Sequence, residues 1–145
     1  MKRFLCFVLS ILLLISISAP AFASETSPIK ETDLGNGITL IEEVIEFPQA
    51  RTTERTAVKR GTFKEGDTVV AVVVFQATFH YDYTTVSVYS KSVTQTDTYE
   101  GWNYKQTSFT SSGGTVTLTG KLTKLLVINR PFTLSLTCDA YGNIS

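Results

Sequence analysis

Residues 68–80, TVVAVVVFQATFH, are the part of the sequence that decides the fold. Read as a strand, one face carries alternating apolar side chains, namely Val69, Ala71, Val73, Phe75, Ala77 and Phe79. The other face is apolar from Val70 to Val74 and becomes polar at Gln76, Thr78 and His80. A strand that is apolar on both faces over half its length is covered on both sides. We therefore predict that this strand lies in the interior of a sheet.

The same short-period alternation continues on both sides of this strand. Further strands are predicted at 38–47, 52–63, 85–98, 102–110, 115–127 and 132–138, and turns at 64–67, 81–83, 100–101, 111–114 and 129–131. The first of these changes phase, as a bulged strand or a short helical turn would, and its β-branched residues favour the strand. The Thr-rich stretch 52–63 is typical of an edge strand. The pattern predicts an all-β, immunoglobulin-like antiparallel β-sandwich of six to seven strands, with a small β-barrel as the alternative.

The amino terminus has the pattern of a secretory signal peptide. Lys2 and Arg3 precede an apolar run of about 14 residues, shorter than the ~20 that a membrane-spanning helix needs. Small residues at Ala21 and Ala23 predict cleavage after Ala23. We expect a signal peptide at 1–23, a flexible lead-in at 24–36 and one β-sandwich domain at 37–145. The mature protein is then secreted, in free form or associated with the cell wall, with no stable membrane anchor.

Removal of the leader changes the charge and cysteine counts. The full chain of 145 residues has 13 Lys and Arg against 13 Asp and Glu, and two cysteines. The leader contains two of the basic residues and Cys6, so the mature chain is mildly acidic and has Cys138 as its lone thiol. These counts exclude an intramolecular disulfide framework and a generally basic nucleic-acid binder. Cys138 follows the apolar alternation of its strand, which favours a buried thiol over an intermolecular bridge or a reactive group.

Catalytic and metal-binding patterns are sparse. The one histidine, His80, stands near Asp82, so a hydrolase would need these two residues and a nearby serine. No Gly-x-Ser-x-Gly elbow accompanies them. The densest carboxylate group is Glu42, Glu43, Glu46 and Glu54, which fits a solvated acidic face better than a calcium site. We predict no catalytic site, no metal and no cofactor, and hence a protein that is not an enzyme.

Aromatic residues at strand ends and turns are the most suggestive feature. Exposed aromatic side chains at such places can stack on sugar rings or anchor a protein partner. The alternative is that the tryptophan fills the core and the tyrosines surround it. The predicted binding surface consists of Trp102, Tyr104, Tyr99, Tyr81 and Tyr83.

Two further patterns concern the polar residues. Alternating threonines occur at 94, 96 and 98 and again at 115, 117 and 119. Such arrays occur in ice-binding surfaces, but the polar face of any Thr-rich strand has the same pattern. Lys105, Lys121, Lys124 and Arg130 in the last third of the chain suggest a basic patch for an anionic wall polymer or membrane surface, provided that strand pairing does not scatter them.

Four segments resemble a family of small secreted β-domain proteins of Gram-positive bacteria, which is catalogued only as a domain of unknown function. They are Thr78–Asp82, Trp102–Tyr104, Gly120–Lys124 and Leu134–Asn143. The resemblance covers roughly residues 50–145, and it implies secretion and a β-sandwich. It assigns no activity and no functional residue to this chain.

Together these observations predict a secreted, non-enzymatic β-sandwich that binds a cell-surface, glycan or protein partner, and no nucleic acid. A cell-wall glycan or a surface protein is the expected class of partner. The alternatives are a small secreted hydrolase that uses His80, and an envelope component that associates with itself through strand edges or Cys138.

Overall fold

The computed structural model describes residues 29–47, 53–125 and 127–145. The predicted signal peptide and its cleavage site after Ala23 lie outside these residues. The described part contains eight strands and no helix. The strands are β1 (Lys30–Gly35), β2 (Ile38–Glu46), β3 (Glu54–Glu65), β4 (Thr68–Tyr81), β5 (Val86–Thr98), β6 (Trp102–Ser112), β7 (Thr115–Lys124) and β8 (Ile128–Thr137). Within those ranges no helix long and apolar enough to cross a membrane was found.

The strands form two antiparallel sheets that face each other. Sheet 1 has the order β1-β2-β3-β4-β5, and sheet 2 has the order β6-β7-β8. Their inner faces share one apolar core, in which Phe75, Phe79, Leu118 and Leu134 are fully buried. The sheets stay open at their edges. The predicted antiparallel β-sandwich is therefore confirmed, and the barrel alternative is not formed.

The strand order differs from the immunoglobulin-like prediction. Immunoglobulin domains interleave their strands between the two sheets, whereas here each strand pairs only with its neighbours in the chain. The structure has one strand more than the six to seven that we predicted. This additional strand, β1, lies in the segment 24–36 that we predicted to be a flexible lead-in. A turn with positive φ at Gly35, Asn36 and Gly37, supported by a 2.7 Å bond from the Gly35 N–H to Asp33 Oδ1, folds β1 back onto β2. The polar composition of β1 is compatible with an edge strand.

The interior position of β4 is confirmed, since it pairs with β3 and β5. The edge position predicted for 52–63 is wrong, because β3 lies between β2 and β4. Its inward positions include Ala57, Gly61 and Phe63, which are buried together with Lys59, while most of its other polar residues point outward. A Cβ at Gly61 would lie 2.9 Å from Leu134 Cδ1, so the small inward residues of β3 let sheet 2 approach closely.

Two other local predictions are resolved by the pairing of strands. β2 is a strand as predicted, and its pairing with β3 has no bulge. The turn predicted at 129–131 lies inside β8, where Pro131 faces Lys121 of β7. β8 is an edge strand, and proline is tolerated there because its missing N–H is not needed on the open side.

Candidate functional site

The five residues predicted as one binding surface lie at opposite ends of the sandwich. Tyr99 donates its N–H to the carbonyl of Val70, near the start of β4, at 2.9 Å. Tyr81 is the last residue of the same strand, about 36 Å away at ~3.3 Å per residue. Tyr99 and Trp102 therefore cannot act on one ligand together with Tyr81 and Tyr83.

Trp102 does not belong to an exposed surface, because it is only 2% exposed. The Lys124 ammonium lies 5.3 Å from the centre of its ring and 2.9 Å from Glu65 Oε2. The hydrogen bond from Lys124 lowers the pKa of Glu65. Trp102 therefore closes one end of the core, and the prediction of a binding role for it is corrected. Trp102 is the first residue of β6, a position that favours exposure. It is buried because β6 begins directly over the core.

Tyr104 is also drawn into the structure. Its ring packs against Phe132 at 6.0 Å between centroids and occupies the space that a Cβ at Gly120 would fill, 2.8 Å from Tyr104 Cε2. Burial raises the pKa of its hydroxyl. Tyr104 therefore offers little surface for stacking, and its role as an exposed binding residue is corrected as well.

At the other end, three tyrosines lie together where the β4–β5 turn meets the carboxyl-terminal turn. We call Tyr81, Tyr83 and Tyr141 the tyrosine end. The Tyr83 N–H donates to the carbonyl of Ala140 at 2.9 Å, and the rings of Tyr81 and Tyr83 meet edge to face with centroids 6.0 Å apart. Tyr83 is 66% exposed and Tyr141 is 67% exposed, while Tyr81 is partly buried against the core.

Both turns of the tyrosine end are held by aspartates. Asp82 Oδ1 accepts from the backbone N–H groups of Thr85 at 2.6 Å and Thr84 at 3.0 Å, which lowers the pKa of Asp82. Asp139 accepts from the side-chain amide of Asn143 at 2.7 Å and from its N–H at 2.9 Å, which lowers the pKa of Asp139. Carboxylates that bond backbone N–H groups in this way fix a turn. The aromatic rings are thus presented from rigid turns.

Gly142 shows how tightly the carboxyl-terminal turn fits beneath this end. Its φ is +85°, and a Cβ there would lie 2.5 Å from Cζ of Tyr81. Its carbonyl accepts a hydrogen bond from Arg55 Nε at 3.1 Å. The Tyr81 ring therefore lies directly against the glycine backbone, and it forms the partly buried base of the tyrosine end.

The backbone of Tyr83 is strained. Its φ is +67°, in the left-handed region that favours glycine and asparagine. For other residues this conformation costs roughly 1–2 kcal/mol. Because Tyr83 is mostly exposed, burial of its side chain does not offset that cost. Glu100 and Leu125 also combine positive φ with exposure. Tyr83 differs from them in presenting an aromatic ring beside a second one, that of Tyr81.

A second aromatic pair lies beside this end on the outer face of sheet 1. The rings of His80 and Tyr89 stack in parallel at 4.5 Å, and Tyr89 is 69% exposed. His80 Nε2 lies 2.7 Å from Glu54 Oε1. Strand pairing places Glu54, His80 and Ser87 in one row across β3, β4 and β5.

Only part of the arrangement of side chains that a hydrolase would need is present at this end. A cavity of about 270 Å³ is lined by His80, Asp82 and Ser87, with Thr53, Tyr81 and Thr85 around them. Asp82 bonds its own turn, and Glu54 is the carboxylate that bonds the imidazole. In the described part of the chain no hydrogen bond joins Ser87 to His80. The hypothesis that this chain is a hydrolase therefore stays a hypothesis, with Glu54 in the place we gave to Asp82.

The remaining candidate groups have structural surroundings. Glu42, from the predicted acidic face, is buried and bonds Lys59 at 3.0 Å. Cys138 is a free, buried thiol that donates to the carbonyl of Asp139, and burial raises its pKa to about 11. Across residues 29–47, 53–125 and 127–145, no three His, Cys, Asp or Glu side chains lie together as a metal site.

Comparisons with protein-family models, curated proteins and solved structures found no match for this chain. The site therefore rests on its own geometry. Tyr89 and Tyr141 were not among the five residues predicted as the binding surface. Only the fold brings Tyr89 against His80 and the turn that contains Tyr141 against Tyr83. The signal that would have found Tyr141 is Asp139, since Asp-x-x-x-Asn is a turn that presents the residues between them.

Proposed function

We propose that this chain is an exported, non-enzymatic binding protein that holds a glycan of the cell surface at its tyrosine end. The observation that carries the proposal is Tyr83, an exposed aromatic residue in a strained backbone conformation. Glycine or asparagine adopts this conformation with less strain, so a tyrosine at this position favours a role for its ring. The hydrogen bond from the Tyr83 N–H to Ala140 and the contact with the Tyr81 ring hold this conformation, which under this proposal presents the Tyr83 ring to a ligand.

The size of the tyrosine end favours a saccharide over a protein partner. Three tyrosine rings offer on the order of a few hundred Å². A specific protein–protein interface buries about 1,200–2,000 Å² in total. A sugar ring matches one or two tyrosine faces, and the tyrosine hydroxyls and the threonines of the β4–β5 turn supply hydrogen bonds.

Export and the choice of a surface glycan follow from the predicted signal peptide at 1–23. The resemblance to small secreted β-domain proteins of Gram-positive bacteria supports the same compartment. Under this proposal the mature chain meets its glycan in or outside the cell wall, and it needs no cofactor.

The first experiment replaces the strained tyrosine. Tyr83→Gly removes the ring and relieves the backbone, so we expect retention on insoluble Gram-positive peptidoglycan to fall by at least tenfold, as for a loss of about 1.4 kcal/mol or more at a binding hot spot. The same variant should unfold at an equal or slightly higher temperature, because glycine adopts positive φ without strain. Sedimentation with peptidoglycan and thermal unfolding provide the two readouts.

The matched control is Tyr99→Ala, which removes a half-exposed tyrosine at the opposite end of the sandwich. It should bind like the wild type. Equal binding by Tyr83→Gly and the wild type would contradict the site. If neither peptidoglycan nor any glycan of an array retains the wild-type protein, the proposal that its ligand is a glycan would be wrong.

A further inference from the structure

The outer face of sheet 2 is rich in serine and threonine. Pairing of β6, β7 and β8 places fifteen outward residues in five rows of three. The rows are Ser112–Thr115–Thr137, Thr110–Thr117–Ser135, Ser108–Thr119–Thr133, Lys105–Lys121–Pro131 and Asn103–Thr123–Asn129. We call these fifteen residues the hydroxyl face.

Ten of the fifteen residues are serine or threonine, and none is a carboxylate. Hydroxyl groups of neighbouring strands bond each other, as Thr115 does with Thr137 at 3.2 Å and Ser108 with Thr119. A strand spacing of ~4.8 Å and a repeat of ~6.7 Å along each strand make the face about 10 Å wide and 27 Å long. It is a donor-rich strip with room for an extended polymer.

Lys105 and Lys121 stand directly opposite each other on this strip. Like charges at paired positions of neighbouring strands destabilise a sheet. Neither lysine has an ion-pair partner among the described residues. Two unneutralised ammonium groups side by side, with no carboxylate on the whole face, are arranged for an anion that bridges them.

The fold gives the four residues of the basic patch expected from the sequence different partners. Lys124 is taken by Glu65 at 2.9 Å, and Arg130 donates to the carbonyl of Gly35 at 3.2 Å. Only Lys105 and Lys121 remain for a ligand. The threonines at 115, 117 and 119 belong to the hydroxyl face, whereas those at 94, 96 and 98 lie on β5 in the other sheet.

The same composition argues against other classes of ligand. The hydroxyl face has no aromatic residue, so it lacks the stacking platform that single-stranded nucleic acids require. Its one apolar residue is Pro131, so nothing on it would insert into a lipid bilayer. Phosphate groups, in contrast, accept several hydrogen bonds each and carry the charge that paired lysines need.

We infer that the hydroxyl face binds a linear polymer of phosphate groups without bases, bridged by Lys105 and Lys121 and bonded along the strip by serine and threonine hydroxyls. This site is separate from the tyrosine end and rests on different residues. The polymer runs along the strands, because the strip is longest in that direction.

The test uses long-chain inorganic polyphosphate and the full mature chain. Calorimetric titration at several salt concentrations should show binding that weakens as salt rises. In the double variant Lys105→Ser/Lys121→Thr, affinity at low salt should fall at least tenfold. The slope of log K against log salt should become shallower by about 1.4, since each neutralised charge on a single-stranded polyanion contributes about 0.7. The double variant should fold at least as stably as the wild type, because the like-charge pair is gone.

The matched control is Lys64→Glu on sheet 1, which changes net charge by the same two units. An equal loss of affinity in that variant would overturn the inference, because only net charge would then matter. Equal binding of polyglutamate would overturn the assignment to phosphate. Binding to vesicles with anionic lipids and not to polyphosphate would overturn the inference that the ligand is a linear polymer. The variant Tyr83→Gly should bind polyphosphate like the wild type, which separates this site from the proposed glycan site.

Discussion

Sheet 2 and sheet 1 differ in which side chains they turn toward the core and which toward solvent. In sheet 2 the buried inward residues of β7 and β8 are apolar or glycine, and the charged inward residues Lys124 and Arg130 stay partly exposed at one end. Every outward residue of the hydroxyl face except Pro131 is polar. Sheet 1 sends the charged residues Glu42 and Lys59 inward, where they are 6% and 7% exposed, and sends Ile41 and Ile45 outward. Among the described residues, the buried charged side chains are those of Glu42 and Lys59, so sheet 1 buries an ion pair and sheet 2 keeps its charged side chains partly exposed.

The buried ion pair of sheet 1 lies beside a groove at the β1 edge of the sandwich. Glu42 bonds Lys59 at 3.0 Å and the exposed Lys30 at 3.3 Å. It also lines a groove of about 590 Å³ between β1 and sheet 2, together with Gly120 and Phe132. Two ammonium groups around one carboxylate satisfy its charge, but Lys59 has no other ion pair among the described residues.

The largest effect on stability is expected from the removal of Glu42, the carboxylate of the ion pair in sheet 1. Glu42→Ala leaves Lys59 buried without a counter-charge, so we expect a loss of about 3–5 kcal/mol in the free energy of unfolding. Chemical denaturation measures it. The control Glu43→Ala removes the partner of the half-exposed Arg60, 3.7 Å away, and should cost about 0–1 kcal/mol. The dependence of sheet 1 on its ion pair would be refuted by equal costs for the two variants.

A second substitution tests the packing of sheet 2. A Cβ at Gly120 would lie 2.8 Å from Tyr104 Cε2, 3.0 Å from Phe132 Cζ and 3.1 Å from the carbonyl of Lys105. The rings can turn but the carbonyl belongs to a paired strand, so Gly120→Ala should cost about 1–3 kcal/mol. Thr119→Ala, one residue earlier and facing outward, is the control. A neutral Gly120→Ala would mean that sheet 2 is packed more loosely than sheet 1.

The smallest effect is expected on the hydroxyl face itself. Thr117 bonds Ser135 at 3.5 Å on the open side of β7. Thr117→Val keeps the β-branched shape and removes only the hydroxyl, so the free energy of unfolding should change by no more than about 0.5 kcal/mol. Urea denaturation is the measurement. A loss above about 2 kcal/mol would show that the hydroxyl groups stabilise the sheet, which would remove the reason to assign them to a ligand.

The sequence was most informative where alternation and burial agree. The two apolar faces of residues 68–80 located β4 in a sheet interior, and β7 alternated as a strand with one wet face. β3 was misplaced because its outward polar residues hide small inward ones such as Ala57 and Gly61. Glu42 and Lys59 were unpredictable as core residues, since a charged side chain is buried only when a particular partner is in reach.

The candidate sites depended more on tertiary structure. Tyr81 and Tyr83 are close in sequence and lie together in the fold, whereas Tyr141 joins them only because the carboxyl-terminal turn returns to the β4–β5 turn. Their role in binding stays a prediction. Trp102 was misassigned because its exposure depends on how the sheets cover each other. The pairing of Lys105 with Lys121 is a matter of strand register, which one residue of slip would change.

The strand order described above has a consequence for how the chain acquires its structure. Every strand pairs only with the strand before it and the strand after it, so each pairing closes a short loop. Loops of this length close at little entropic cost, and folds built from local pairings form quickly. A chain delivered from its amino terminus can therefore add each strand to a growing sheet as that strand arrives. Sheet 1 can be complete before sheet 2 exists, and the turn at Tyr99–Gly101 is the point at which the second sheet begins to cover the first.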